Sequence, residues 1–180
     1  MPVRHSEPLS ATRKARVDFK ITGLPVVEFA YLFALDGAAL QRKGIVRVVA
    51  DEPQAFPCRI TLEDAEPGES LLLLTYVHQA ARTPYAASGP IFVRCAAGAT
   101  RVSINEVPAQ QRRRLLSVRA YDATHAMVGA EVAPGTELEA LIERFLGDRD
   151  VSYLHVHNAR RGCYACRIDR LQERLRALAR

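Results

Sequence analysis

Tyr153-Leu-His-Val-His-Asn-Ala-Arg-Arg-Gly-Cys-Tyr-Ala-Cys166 reads as two strands folded back on each other. Leu154 and Val156 alternate with Tyr153, His155 and His157, the period-two pattern of a strand with one apolar face and one polar, aromatic face. Asn158 to Gly162 supplies the turn: Gly162 accepts positive φ without strain, and Arg160 and Arg161 stand at the tip. Cys163 to Ile168 returns as the partner strand. So short a connection can join only antiparallel neighbours, which sets the expectation for the sheet as a whole.

The flanking sequence fits that expectation. Upstream, Thr136 and Glu139 have capping-box spacing ahead of Leu138, Leu141, Ile142, Phe145 and Leu146, a helix-spaced apolar stripe that Gly147 ends. Leu115 to Tyr121 and Met127 to Val132 read as strands, and Pro108 opens a short basic helix through Arg113 whose Arg112-Arg113-Arg114 face is solvated. Leu71 to His78 is the clearest strand outside the hairpin, followed by a long loop from Gln79 to Pro90 and a strand from Ile91 to Cys95. Cys58 to Leu62 is a short strand. The acidic loop Glu63 to Glu69 after it lacks the alternating donors and central glycine of a calcium loop, and reads as a solvated turn. Ile45 to Ala50 is a further strand, preceded by two short helices between Val26 and Arg42 with Asp36 as N-cap and Gly44 as stop. Val17 to Ile21 opens the ordered body.

Strands outnumber helices with no regular alternation between them, so the expectation is a single α+β domain over residues 17–170 with a largely antiparallel sheet. It carries a few short helices and one amphipathic helix in its C-terminal half. Residues 1–16 read as a flexible leader, and residues 171–180 as a basic helical extension that Asp169 caps.

Composition narrows the function classes. Among 180 residues, 48% are hydrophobic and 25% charged, an ordinary balance that supports a sizeable core. The longest aliphatic run, Leu71 to Leu74, is far too short for a membrane span, and no apolar stretch near the start resembles an export signal. A cytoplasmic location and four reduced thiols are expected. The net charge of +5 sits at the ends, with Arg4, Arg13, Lys14 and Arg16 outweighing Glu7, and five arginines outweighing Asp169 and Glu173 from residue 167 onward. The body is close to neutral, so no specific nucleic-acid partner is expected. No motif encodes an oligomeric state.

The chemistry concentrates in the hairpin. Tyr153, His155 and His157 share one strand face, and Tyr76 and His78 repeat the device at the exit of the earlier strand, so one pocket is expected to gather them. Two registers are available to the hairpin. A five-residue loop sets His157 opposite Cys163, a nucleophile and its base; closure one residue tighter sets Asn158 opposite Cys163 and His157 opposite Tyr164. The first is the expected register. It gives a catalytic set of Cys163, His157, His155 and Asn158, the last stabilising developing negative charge. Tyr76, His78, Tyr85, Tyr153, Arg160 and Arg161 are the expected ligand-binding residues, the arginines suiting a carboxylate or phosphate and Tyr85 closing the pocket. His155, His157, Cys163 and Cys166 match a four-ligand zinc set only superficially, because a spacing of three on a strand sends the two sulfurs to opposite faces. No metal and no cofactor is therefore expected, and Cys166 is expected to be dispensable.

Phe19-Lys-Ile-Thr-Gly-Leu24, Pro57-Cys-Arg-Ile-Thr-Leu-Glu-Asp-Ala-Glu-Pro-Gly-Glu69, Pro84-Tyr85, Ser88-Gly-Pro-Ile-Phe-Val-Arg94, Leu116-Ser-Val-Arg-Ala-Tyr-Asp122 and His155-Val-His-Asn-Ala-Arg-Arg-Gly-Cys-Tyr164 form a further pattern. Together they resemble the bacterial domain-of-unknown-function family 1203 over nearly the whole body, Phe19 to Arg170. The resemblance implies no established activity. It includes the histidine pair, Asn158, Gly162 and Cys163 but no cysteine at position 166. The resulting expectation is a small cytoplasmic pocket protein, an enzyme or a metabolite binder taking a small-molecule or acidic ligand. Its alternative is a noncatalytic interaction module that binds an acidic ligand or partner through the same hairpin.

Overall fold

The hairpin forms in the computed structural model, which describes residues 17–171, as β8 (Tyr153–Asn158) and β9 (Tyr164–Arg170). Around it assemble β1 (Phe19–Thr22), β5 (Val102–Ile104), β6 (Leu115–Tyr121) and β7 (Met127–Pro134), giving a six-stranded antiparallel sheet in the order β5-β1-β9-β8-β6-β7. Its apolar face carries Ile21, Leu116, Val118, Leu154, Val156 and Ile168 against Leu138, Leu141 and Ile142 of α4 (Leu138–Leu146), the main core of the protein. Period-two alternation makes the other face polar, so burying one side of this sheet sets the second side up as a site.

A three-stranded antiparallel sheet, β2 (Val46–Val49), β3 (Ser70–Gln79) and β4 (Ala87–Arg94), holds a second core. Leu72, Leu74, Ile91 and Val93 pack there against Phe29, Leu32 and Leu40, which come from the segment around α1 (Ala30–Phe33) and α2 (Gly37–Arg42). The Asp36 carboxylate accepts a hydrogen bond from the Ala39 amide at 2.7 Å, the expected N-cap. The α+β architecture with mostly antiparallel sheets stands as expected. Among the described residues no helix is long and apolar enough to cross a membrane.

Several local expectations are corrected. Cys58 to Leu62 is not a strand: Cys58 makes one isolated bridge to Phe92, and Leu62 turns the chain at φ +54°. The segment instead crosses Gly23, where an added Cβ would lie 2.1 Å from the Ile60 carbonyl oxygen, and Leu24 donates to the Arg59 carbonyl at 2.7 Å. The crossing seats Arg59 in the interior. β4 begins at Ala87, shortening the loop after β3; as an edge strand it tolerates Pro90. The capping box does not form. A 3-10 turn at Gly135–Glu137 leads into α4 with no side-chain cap, while Glu139 is drawn into an ion pair with Arg112 of α3 (Ala109–Arg112).

The arginine run and the acidic loop are likewise not simply solvated. Arg113 and Arg114 share the Asp64 carboxylate at 2.7 and 2.5 Å, and Arg94 pairs with Glu69. Asp169 lies inside β9, bonded to Arg167; the helix it was expected to cap lies outside the described residues. The expected leader at 1–16 and the extension from 172 onward lie outside the described residues.

Candidate functional site

The hairpin closes in the tighter register. Asn158 donates its amide to the Cys163 carbonyl at 2.9 Å, and Gly162, at φ +71°, donates to the Asn158 carbonyl at 2.8 Å. Pairing runs Val156 to Cys166 and then His157 to Tyr164, with a bulge taking up the extra residue. The register that would face His157 to Cys163 is thus overturned: the glycine-closed turn leaves Cys163 opposite Asn158. The Cys163 sulfur instead accepts from Arg59 Nη2 at 3.2 Å and Asn158 Nδ2 at 3.5 Å, while His157 Nδ1 bonds the Gly162 carbonyl at 3.0 Å. Cys166 lies beside Val156 in the main core, where burial pushes its thiol up to about 12. A zinc set that includes Cys166 cannot form, because that sulfur is on the opposite face from His155.

The expected convergence of the two histidine-bearing strands does occur. β3 brings Tyr76 and His78 onto the polar face of the large sheet, with His78 at a bulge between Val77 and Gln79. The His78 ring lies 4.9 Å from His157 and 6.0 Å from His155 between centroids. Tyr164 stacks on His78 at 5.2 Å and stands edge-on to His155, and Tyr76 lies 6.3 Å from Tyr164. One ligating atom from each of His78, His155 and His157 falls within 4.8 Å of the other two.

Tyr153 extends the cluster. Its hydroxyl accepts from Gln79 Nε2 at 2.7 Å and meets His125 Nδ1 at 2.9 Å, its ring stacks on Tyr121 at 5.2 Å, and the Arg167 guanidinium lies 3.8 Å above it. Tyr85 reaches the rim edge-on to Tyr121 at 6.4 Å.

Across the strands, His155 is flanked by Arg119 of β6 and Arg167 of β9. Burial first, then Arg167, lowers His155 to about 3; burial first, then Arg119, lowers His157 to about 4, and His78 is lowered by burial and Arg119. All three imidazoles are neutral at pH 7. A carbonyl can only accept, so His157 carries its proton on Nδ1 and leaves Nε2 as a lone-pair nitrogen. That Nε2, His155 Nδ1 and His78 Nδ1 are buried without hydrogen-bond partners.

Asn158, Arg160, Arg161 and Cys163 open on a different space. They line a cleft of about 460 Å³ together with Arg59, Arg113, Arg114, Pro90, Phe92 and Leu115. Arg59 is only 1% exposed, and its guanidinium donates to the Tyr164 carbonyl at 2.6 Å, to the Pro57 carbonyl and to the Cys163 sulfur. No carboxylate pairs with it among the described residues. Burial lowers its pKa, an effect the Cys163 sulfur opposes. A neighbouring groove of about 570 Å³ also carries charge, but its Arg94, Arg101 and Arg113 are already paired with Glu63 and Asp64.

The structure therefore splits the expected site in two. Tyr76, His78, Tyr153, His155 and His157 meet in one cluster with Tyr85 at its edge, while Cys163, Asn158, Arg160 and Arg161 line the cleft. The sequence reading missed Arg59, Tyr164, Arg119 and Arg167. Arg119 and Arg167 each pair with His155, but only through the β6–β8 pairing and the β8–β9 bulge, neither of which leaves a mark in the sequence. Arg59 carries no sequence signal, because its burial depends on the crossing at Gly23.

Comparison with curated proteins and with solved structures finds no match. A family model described as "Protein of unknown function (DUF1203)" matches residues 55–170, which include Arg59, His78, both hairpin histidines and Cys163. The Phe19–Leu24 stretch lies outside that match, but more than half of the chain is covered, and the protein belongs to the DUF1203 family.

Proposed function

We propose that the protein binds a small anion, a phosphate monoester or short carboxylate, in the arginine cleft, with the Cys163 thiol against the ligand. The observation that carries this reading is the buried, carboxylate-free Arg59 at the cleft wall. A guanidinium withdrawn from water without a counter-charge costs several kcal/mol, and an anion in the cleft offsets that cost. Arg160 and Arg161 form no ion pair among the described residues and offer bidentate donors at the hairpin tip. No histidine hydrogen-bonds the Cys163 sulfur among the described residues, so the reading is binding rather than nucleophilic catalysis with His157 as base. A free thiol in contact with the ligand suits a reducing cytoplasm.

Alkylation with iodoacetamide, read cysteine by cysteine by mass spectrometry, tests the proposal. Cys163 and Cys95 are both partly exposed, whereas Cys58 and Cys166 are buried. Phosphate monoesters and short dicarboxylates are screened beside their neutral alcohol and amide analogues. An anion from the panel should protect Cys163 while leaving Cys95 unprotected, and should raise the melting temperature; its neutral analogue should do neither. Protection of neither cysteine, or of both equally, overturns the proposal. An acidic peptide that perturbs Arg160 and Arg161 without protecting Cys163 would put the interaction module in its place.

A further inference from the structure

We propose that His78, His155 and His157 form a three-histidine site for a divalent transition-metal ion of the zinc class, separate from the anion cleft. Three independent observations converge on it. One ligating atom from each residue lies within 4.8 Å of the other two. Metal–nitrogen bonds of about 2.0–2.1 Å place tetrahedral ligands roughly 3.3 Å apart, so each ring closes on the ion by moving less than about 1 Å.

Second, His157 is set up as a ligand from behind. Its Nδ1–H donates to the Gly162 carbonyl at 3.0 Å, which fixes the tautomer and orients the Nε2 lone pair, as the outer hydrogen bond of a metal-bound histidine does. Third, each of the three rings holds one buried nitrogen without a partner: His78 Nδ1, His155 Nδ1 and His157 Nε2. Leaving such groups unpaired costs about 1–3 kcal/mol apiece, and the three residues that carry them are the three whose ligating atoms cluster. His155 and His157 alternate onto one face of β8, and the bulge at the exit of β3 delivers His78 opposite them.

The donor set chooses the ion. Neither sulfur of the hairpin joins it, since Cys166 is in the core and Cys163 is held by Arg59 and Asn158. No carboxylate belongs to the group. Neutral imidazoles alone suit zinc, iron, nickel or copper and do not suit calcium or magnesium. Arg119 and Arg167 flank His155 and work against a cation, Arg167 being offset by its bond to Asp169. The same two guanidiniums favour an anionic oxygen ligand at the open fourth position.

Tag-free protein stripped with chelator and titrated with zinc, and in parallel with cobalt, provides the test. One equivalent of zinc should bind and raise the melting temperature, and cobalt should give the visible absorption of a tetrahedral nitrogen-ligated ion. His78→Gln, at the half-buried member of the set, should lose this binding, whereas Cys163→Ser, Cys166→Ala and His125→Ala should keep it. Absence of stoichiometric binding in the wild type, or its full retention in His78→Gln, overturns the proposal. Should His78→Gln fail to fold, imidazole nitrogen resonances of the wild type decide: zinc should shift those of His78, His155 and His157 and leave His125 in place, and the reverse pattern contradicts the site. Anion protection of Cys163 measured in chelator is unaffected by either result, so this site and the cleft fail independently.

Discussion

His155 and His157 are buried as neutral imidazoles, and the consequence is a fold that weakens in acid. An unfolded histidine takes up a proton near its ordinary pKa of about 6.5, whereas in the folded protein these two hold out until about 3 and about 4. Between those limits the unfolded state binds more protons, so stability is complete above about 6.5 and is lost as the pH falls. Urea denaturation of chelator-treated protein should show the unfolding free energy dropping by up to about 1.4 kcal/mol per pH unit for each of the two residues. A flat profile between pH 7 and pH 5 would mean that these imidazoles are solvated. Cys166 makes the contrasting case. Its side chain fills core space beside Val156, so Cys166→Ala should cost about 1 kcal/mol in the same assay. Protection of Cys163 by anions should be unchanged in that variant.

The hairpin shows how far strand and turn patterns reach. Both arms, the turn and the role of Gly162 were legible, because alternation and a positive-φ glycine leave marks in the sequence. The register was not. Two closures differing by one residue carry the same pattern, and the choice falls to the bond between the Gly162 amide and the Asn158 carbonyl and to a bulge that no periodicity announces. The capping box at Thr136 failed for a related reason, since its Glu139 has a better partner in Arg112 from a distant element. Two glycine substitutions separate local conformation from long-range packing. Gly162→Ala meets no atom within 4 Å, so only its φ of +71° is strained, and a loss of about 1 kcal/mol with the fold retained is expected. Gly23→Ala drives a Cβ to 2.1 Å from the Ile60 carbonyl oxygen and should displace the segment carrying Arg59. Urea unfolding should show the larger loss in Gly23→Ala, with Cys163 no longer protected by anions; equal effects of the two would contradict this view of the crossing.

Across the molecule, the fold class was legible because many short strands and few helices leave only layered antiparallel arrangements. The strand order was not, since β1 reaches β9 from the far end of the chain, β5 adds to the outer side of β1, and nothing local encodes either pairing. The division of the site into a histidine cluster and an arginine cleft follows from the same long-range facts. The small sheet meets the polar face of the large one through β3, and the crossing at Gly23 seats Arg59 beside Cys163. A crystal structure with a saturating phosphate monoester or dicarboxylate from the protecting panel tests the anion cleft most directly. The anion should lie against Cys163, its oxygens about 2.7–3.2 Å from guanidinium nitrogens of Arg160 or Arg161, on the side that Arg59 faces. A cleft without ligand at that concentration, or a ligand bound only elsewhere, would contradict it.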